Sequence, residues 1–213
     1  MDELTVYKRL IAMHEGIEIQ TLDNFKNDPK IKNIVSKGLK EITSRKPIFV
    51  FNTTYNISQM HQLIKKHSKD EHTIVVIDHV LLMDSSNRNK GYEKFTDIAK
   101  DLRKISRGEN VTMIALSQMN HESKKTGYKP SVSALKESGE FESSSSHVAF
   151  IYQRYDKDGK MIDDSDELLV RKNRNGANGV DIPLSYDRTT QKIKESTNSK
   201  TSCSKKIDKK EYY

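Results

Sequence analysis

The chain has 213 residues, enough for one α/β domain with a core but too few for two large ones. Its single cysteine, Cys203, excludes a disulfide framework, and no apolar run approaches the roughly 18 residues of a membrane span, so we expect a protein of a reducing cytoplasm with no membrane contact. The net charge of +7 favours a polyanionic partner, although a Lys-rich coding bias would produce it equally well.

The N-terminal part is predicted to be helix, helix, strand, helix. Apolar residues at helical spacing predict a helix over 3–14 that stops at Gly16, and a second one after Pro29. The segment 47–52, PIFVFN, is typical of a short strand. A third helix follows it, with Asn56 or Ser58 as its cap.

The chain is organised around the segment 73–83, TIVVIDHVLLM. Its first five residues are β-branched and uncharged, which predicts a strand buried on both faces in a parallel sheet. A polar loop over 84–90, an amphipathic helix ending at Gly108 and a strand over 111–117 come next. Because a strand, helix and strand form a right-handed parallel crossover, we expect Gln118 at the same sheet edge as Asp78.

Asp78 closes the first of these strands, at the edge where open α/β sheets bind ligands. A carboxylate there is suited to holding Mg²⁺ on a nucleotide, directly or through water, and is equally suited to capping the next turn. Gln118 could sense a nucleotide phosphate or simply cap a loop. The sequence pattern alone leaves both alternatives open.

A polar, basic stretch of about twenty residues follows Gln118, and loops this long in a compact domain are usually functional or disordered. Its cations can contact phosphates or form a solvated loop, and they are Lys124, Lys125, Lys129 and Lys136. After a strand over 147–152 and a turn over 155–166, strands over 168–171 and 180–186 predict a hairpin. The residues from 191 onward lack apolar content, which predicts a disordered tail.

Lys172 and Arg174 lie at the end of the first hairpin strand. Side chains two residues apart in a strand point to one face, so we expect these two cations to point the same way. Two such cations could neutralise phosphate charge.

Four segments, in this order, resemble the C-terminal RecA-like ATPase domain of DnaB-type replicative helicases, particularly phage versions. They are VVIDHVLLM, similar to the Walker B segment; ALSQMN; LKESGEFESSSSHVAFIY; and VRKNRNGANG, similar to the Lys-x-Arg-Asn-Gly hairpin. The resemblance implies an α/β fold with a mostly parallel β-sheet flanked by helices and a C-terminal β-hairpin. It covers residues 1–190 as a partial helicase core and leaves 191–213 as a disordered tail.

The resemblance also assigns nucleotide-binding and catalytic residues, with ATP and Mg²⁺ as substrate and cofactor. Asp78 would hold Mg²⁺, and Gln118 would sense the γ-phosphate and relay its state to the DNA loops. Lys172 and Arg174 would reach the nucleotide of a neighbouring subunit as fingers.

The same resemblance implies that Lys136, Glu137 and Gly139 line a central channel and bind single-stranded DNA. Lys136 stands where the family commonly has Arg, so the charge is kept and the bidentate fork is lost. Ser144 and Ser146 replace acidic residues of many members, which puts any role for those carboxylates in doubt.

The motif G-x-x-x-x-G-K-[ST], which cradles nucleotide phosphates, does not occur in these 213 residues. In the family a catalytic glutamate precedes a methionine that opens a helix, and Met1 resembles that methionine. We therefore expect that the isolated chain neither binds ATP tightly nor hydrolyses it at a useful rate.

Two functions follow from these features. The first is the C-terminal part of a ring-forming, ATP-dependent 5′–3′ DNA helicase, whose upstream half supplies the phosphate loop. The second is a non-enzymatic relative that binds single-stranded DNA or modulates an intact ring. The expected partners are single-stranded DNA, a homo-hexamer or a split-gene half, and a primase or loader, in the cytoplasm of a bacterial or phage-infected cell.

Overall fold

The computed structural model describes residues 3–47, 55–84, 91–119, 129–132, 139–156 and 160–196. Its helices are α1 (Glu3–Glu15), α2 (Pro29–Ser44), α3 (Ile57–His67), α4 (Gly91–Gly108) and α5 (Gly139–Ser144). Its strands are β1 (Tyr55–Asn56), β2 (Thr73–Ile77), β3 (Met83–Asp84), β4 (Val111–Ala115), β5 (His147–Tyr155), β6 (Met161–Asn173), β7 (Val180–Asp187) and β8 (Lys192–Glu195).

The helix ends follow from short-range signals in the sequence. Gly16 adopts φ +68°, a left-handed conformation that glycine adopts at little cost, and it ends α1. The side chain of Asp28 accepts a hydrogen bond of 2.8 Å from the backbone N–H of Lys30 and starts α2. Asn56 caps α3 in the same way, through Ser58 N–H at 2.8 Å, which confirms one of the two predicted caps.

Strands β2 and β4 pair in parallel, with Thr73 opposite Val111 and Ile77 opposite Ala115. One face of this pair packs against α3 and α4 in a core centred on Ile57, Ile98 and Val111. A parallel crossover through α4 was predicted, and the register confirms it.

The opposite face of the β2–β4 pair is exposed, so the prediction that β2 is buried on both faces is wrong. Ile74 is 65% and Val76 60% exposed, and Ile114 and Leu116 on β4 and just beyond it are 46% and 44% exposed. Only the face that bears Val75 and Ile77 contacts the core. A run of β-branched residues fits a strand packed on two sides, but it does not reveal whether a second layer is present.

Strands β5, β6, β7 and β8 form an antiparallel sheet in chain order. The hairpin of β6 and β7 is confirmed, but the antiparallel part is larger than predicted. Strand β6 begins at Met161, inside the predicted turn over 155–166. The chain also continues past residue 190 into β8, which pairs with β7 from Asp187 opposite Lys192 onward.

The N-terminal helices form a separate, smaller core. Helices α1 and α2 pack on a second cluster around Ile11 and Leu22. Among the described helices, none has the length and apolar character needed to cross a membrane. The predicted strand over 47–52 (from residue 48), the loop over 84–90 (from residue 85), most of the basic loop and the tail from 197 lie outside the described residues.

Candidate nucleotide and DNA site

Asp78 and Gln118 emerge at the same edge of the parallel pair. The ladder continues past the last paired residues, because Leu116 N–H donates to the Ile77 carbonyl and Val80 N–H to the Leu116 carbonyl, both at 3.0 Å. These bonds hold the segments after β2 and β4 side by side. Both predicted site residues are exposed there. The shared edge predicted from the crossover is therefore confirmed, while their chemical roles remain predictions.

Asp78 also lies at one end of a groove of about 850 Å³ that runs along β2 and is bordered by α3 and β3. Within the described part of the chain, no group of three or more His, Cys, Asp or Glu side chains could enclose a metal ion. A single exposed carboxylate fits Mg²⁺ only when nucleotide phosphates and water supply the remaining oxygens. The donor set is thus compatible with a metal that arrives with a nucleotide.

Lys172 lies on β6 directly after a β-bulge. Val148 pairs with Lys172 but Ala149 pairs with Val170, so Arg171 is the extra residue. The half-buried Lys172 ammonium donates to the backbone carbonyl of Glu142 in α5. That carbonyl belongs to the last turn of the helix, where acceptors lack intrahelical donors and a cation is favourable. In this chain Lys172 is thus held against α5.

Arg174 lies in the turn that follows β6, so strand alternation does not place it on the face of Lys172 as predicted. Its backbone N–H donates to the Ser146 carbonyl at 3.0 Å, which fixes the start of the turn. The Asn173 and Asn178 side chains accept backbone N–H bonds within the turn, and Gly179 adopts φ +74°. Arg174 is therefore exposed to solvent on a turn that is fixed by these hydrogen bonds.

Of the predicted DNA-binding residues, Lys136 and Glu137 lie outside the described residues. Gly139 begins α5, and a Cβ added there would lie 3.4 Å from the hydroxyl of Tyr92 on α4. The loop that we predict to bind DNA therefore ends against the start of α4.

The sequence left Lys129 either to contact phosphates or to form part of a solvated loop, but it forms an ion-pair cluster on the antiparallel sheet. Its ammonium lies 2.7 Å from Glu167, which is 3% exposed, and 2.6 Å from Asp181. Arg171, the bulge residue, lies 2.6 Å from Asp181 and donates to the Pro130 carbonyl at 3.1 Å. The cluster ties the end of the basic loop to the strand that carries Lys172, and sequence analysis missed it.

The cluster shifts the pKa values of its members. Burial raises the pKa of Asp181, but hydrogen bonds from Lys129 and Arg171 outweigh it and the net pKa lies below its ordinary value of 3.8. Burial lowers the pKa of Lys129, yet its bonds to Asp181 and Glu167 raise the net pKa above 10.5.

The stabilisation from this cluster should be complete between pH 3.8 and pH 10.5, the ordinary pKa values of Asp181 and Lys129. It should be lost when the pH falls through the lowered pKa of Asp181 or rises through the raised pKa of Lys129. We expect Asp181→Asn to lower the free energy of unfolding by roughly 1–2 kcal/mol at pH 7, and this deficit should shrink as the pH falls below about 4. Urea titrations across pH measure it, with exposed Asp70→Asn as the control; a deficit that is constant with pH would contradict the assignment.

A parallel strand pair with helices on one face, an acidic residue and a glutamine at its carboxyl edge, and an antiparallel extension together define a RecA-like ATPase fold. Two solved structures share it. The chain superimposes on a DnaB-like replicative helicase described with its interactions with primase at a TM-score of 0.80 and 22% identity, over 91% of this chain and 48% of that one. A second structure, described as an ATPase domain, gives a TM-score of 0.78 and 23% identity, over 92% of this chain and 72% of that one.

Residues 1–195 match the model of the DnaB-like helicase C-terminal domain, and the chain belongs to this family. It is 28% identical over 188 residues to the replicative DNA helicase DnaB of Mycoplasma genitalium, covering 82% of this chain and 39% of the relative. A probable replicative DNA helicase of Trieres chinensis is 33% identical over 157 residues, covering 69% of this chain and 34% of the relative. The chain thus spans little more than a third of these relatives' length.

Proposed function

We propose that this chain is the C-terminal part of a ring-forming replicative DNA helicase, which uses ATP hydrolysis to move 5′ to 3′ along one strand and unwind duplex DNA. The observation that carries this proposal is the shared edge at which Asp78 and Gln118 follow two paired parallel strands. The family match over residues 1–195 supports it.

The position of each side chain supports the chemical role that we propose for it. Asp78 would bind Mg²⁺, which would neutralise charge on the β- and γ-phosphates of ATP. Gln118 lies one strand away and would contact the γ-phosphate, while the chain after it leads into the basic loop. Lys172 lies on β6 and Arg174 in the turn that follows it. Within the described residues neither forms a hydrogen bond with Asp78 or Gln118, which suits a role at a neighbouring subunit's nucleotide.

The proposed fingers determine the kind of assembly. Fingers that act across a boundary require a neighbouring subunit, and we propose that the subunits close into a hexameric ring with nucleotide at each subunit boundary. Single-stranded DNA would pass through the centre, against Lys136, Glu137 and Gly139. A primase or loader would join this assembly in the cytoplasm of a bacterium or phage-infected cell; one structural neighbour is described with primase.

The exposed face of the β2–β4 pair supports a further segment that carries the phosphate-loop half. Ile74, Val76 and Ile114 form an apolar surface on a sheet whose other face is packed. The match covers 72% of the structure described as an ATPase domain, so more than a quarter of that chain is not matched. We propose that an equivalent segment, from the same polypeptide or from a partner, covers this face and supplies the phosphate-binding groups.

The second candidate is a non-enzymatic module that binds single-stranded DNA or inserts into an intact ring. The net charge of +7 favours it, because binding of single-stranded DNA requires no nucleotide site. The DNA directly upstream of the codon for Met1 separates the two candidates: an adjacent frame that ends in a phosphate loop and Ser-x-Glu supports the enzyme, and unrelated sequence supports the module.

ATP turnover provides the biochemical test. We expect the purified chain alone to show no hydrolysis above background, because the groups that cradle the phosphates are absent from its sequence. Adding the polypeptide encoded upstream should restore DNA-stimulated turnover. Turnover by the chain alone at rates normal for a helicase, abolished by Asp78→Ala and so not due to a contaminant, would refute the proposed dependence on a second half.

A further inference from the structure

Helix α4 carries a stripe of positive charge that the proposed catalytic residues do not use. Lys100, Arg103, Lys104 and Arg107 recur at i, i+3, i+4 and i+7, so they lie on one side of the helix and span about 10 Å. The other side bears Ile98, Ala99, Leu102 and Ile105, which are buried in the core. The stripe therefore faces solvent, while the opposite side of α4 packs in the core.

The four cations line one groove of about 580 Å³ between α4 and α5. Lys100, Lys104 and Arg107 are exposed and Arg103 is half-buried. The groove also contains Glu140 and Ser144 of α5, and the Glu140 carboxylate accepts a 3.0 Å hydrogen bond from the Ser144 hydroxyl. One carboxylate faces four cations, so the groove has a strong positive excess.

Among the ion pairs between described residues, none involves these four side chains. Like charges at i, i+4 destabilise a helix by a few tenths of a kcal/mol per pair, and Lys100 with Lys104 and Arg103 with Arg107 are two such pairs. A groove that gathers four cations around one carboxylate is complementary to an external anion.

The position of the groove indicates which anion it binds. Its α5 wall begins at Gly139, where the loop with the predicted DNA-binding residues Lys136 and Glu137 ends. The same helix receives the Lys172 ammonium through the Glu142 carbonyl. Along the chain, α5 thus follows directly on the segment to which we assign the DNA strand.

We propose that the α4–α5 groove binds the phosphate backbone of single-stranded nucleic acid and extends the contact made by the loop around Lys136. This inference rests on the proposed function only in assigning the loop around Lys136 to the DNA strand. The contacts would be to phosphates through Lys100, Arg103, Lys104 and Arg107, and the groove offers no aromatic platform among its lining residues for stacking bases. Binding should accordingly be independent of sequence and strongly dependent on salt.

The test uses the full 213-residue chain and a fluorescein-labelled (dT)20 strand, with anisotropy titrations from 50 to 300 mM NaCl. Four variants are compared with the wild type. Two change the groove, Lys100→Ala with Lys104→Ala and the charge-conserving Lys100→Arg with Lys104→Arg. The others are Lys136→Ala and a control double variant, Lys65→Ala with Lys66→Ala, two exposed residues on α3. All the substituted groove and control residues are exposed, and thermal unfolding checks that each variant folds.

Loss of two phosphate contacts should make the log–log salt slope shallower by about 1.4, at about 0.7 per contact for a single strand. If the affinities converge near 1 M salt, the groove variant should bind about 25-fold more weakly at 0.1 M. The Lys65 and Lys66 control should bind as the wild type does. Lys100→Arg with Lys104→Arg should retain binding, because the charge is kept.

Several results would overturn the proposal. If the salt slope of the Lys100→Ala, Lys104→Ala variant were unchanged while Lys136→Ala bound (dT)20 more weakly, the groove would not be a DNA site. The loop around Lys136 would then remain the proposed DNA site. No binding of (dT)20 by the wild-type chain would also remove it, whereas the helicase proposal is judged separately by turnover with the upstream half. If poly-glutamate binds through Lys100 and Lys104 while (dT)20 does not, the groove is a docking site for an acidic polypeptide.

Discussion

Arg174→Ala should lower ATP turnover of the assembled ring by about three orders of magnitude, the lower end of what an arginine finger contributes. Arg174 is exposed in the turn after β6, and among the described residues its backbone N–H is held by the Ser146 carbonyl while its side chain makes no hydrogen bond. Removal of the side chain should therefore leave the fold and the binding of single-stranded DNA intact. Steady-state hydrolysis and anisotropy with (dT)20 measure the two properties.

A matched control for this variant is Arg45→Ala, because the Arg45 side chain is 75% exposed and forms one surface ion pair with Glu41. Mixing provides the decisive observation. Rings assembled from Arg174→Ala and Asp78→Asn subunits should recover part of the activity, since an intact finger and an intact metal site can then meet at some boundaries. Normal turnover in Arg174→Ala rings would remove the finger assignment.

The effect of Lys172→Ala on turnover is harder to interpret than that of Arg174→Ala. The Lys172 ammonium donates to the Glu142 carbonyl, so its removal leaves an acceptor of α5 without this partner. A loss of turnover could then reflect a displaced α5 and not a missing finger. Lys172→Gln keeps a donor but not the charge, so partial rescue by this variant would indicate that the α5 contact matters.

Asp78→Asn should reduce turnover of the assembled ring by about 100-fold or more, because even groups that act behind metal ligands contribute 10–100-fold. The amide keeps the shape of the side chain and removes the charge that would hold Mg²⁺. The deficit should narrow as the Mg²⁺ concentration is raised, and an activity titration against Mg²⁺ measures this directly.

Asp84→Asn is the control for Asp78→Asn, because Asp84 is also a strand-end carboxylate but is 51% exposed and paired with Lys94 at 2.9 Å. It should lower turnover little. If Asp78→Asn and Asp84→Asn gave the same modest effect at every Mg²⁺ concentration, Asp78 would be a turn-capping residue, the alternative that its sequence position left open.

The sequence predicted best those features that depend on neighbours in the chain. The run of β-branched residues defined β2 at Thr73–Ile77 to the residue, and Asn56 marked the start of α3. The crossover rule placed Gln118 beside Asp78, because a right-handed connection through α4 permits that arrangement. In each case the determining interaction lies within one element or between consecutive elements.

The failures involve contacts between distant parts of the chain. Strand β6 begins in a segment rich in Asp, where Met161 pairs with Tyr155 and cross-strand hydrogen bonding outweighs local composition. The pattern Lys-Ile-Lys-Glu of β8 was too polar to separate from the tail. Lys129 meets Asp181, 52 residues away, and no local pattern in a basic loop indicates such a partner.

The bare apolar face of β2 and β4 has a consequence for how this polypeptide exists in a cell. Ile74, Val76, Ile114 and Leu116 each leave between 44% and 65% of their surface in water, and covering a side chain of this size is worth roughly 1 kcal/mol or more. With this face in water, the 213-residue chain should self-associate at high concentration. In the working protein the face should therefore be covered, either by further residues of the same polypeptide or by a partner.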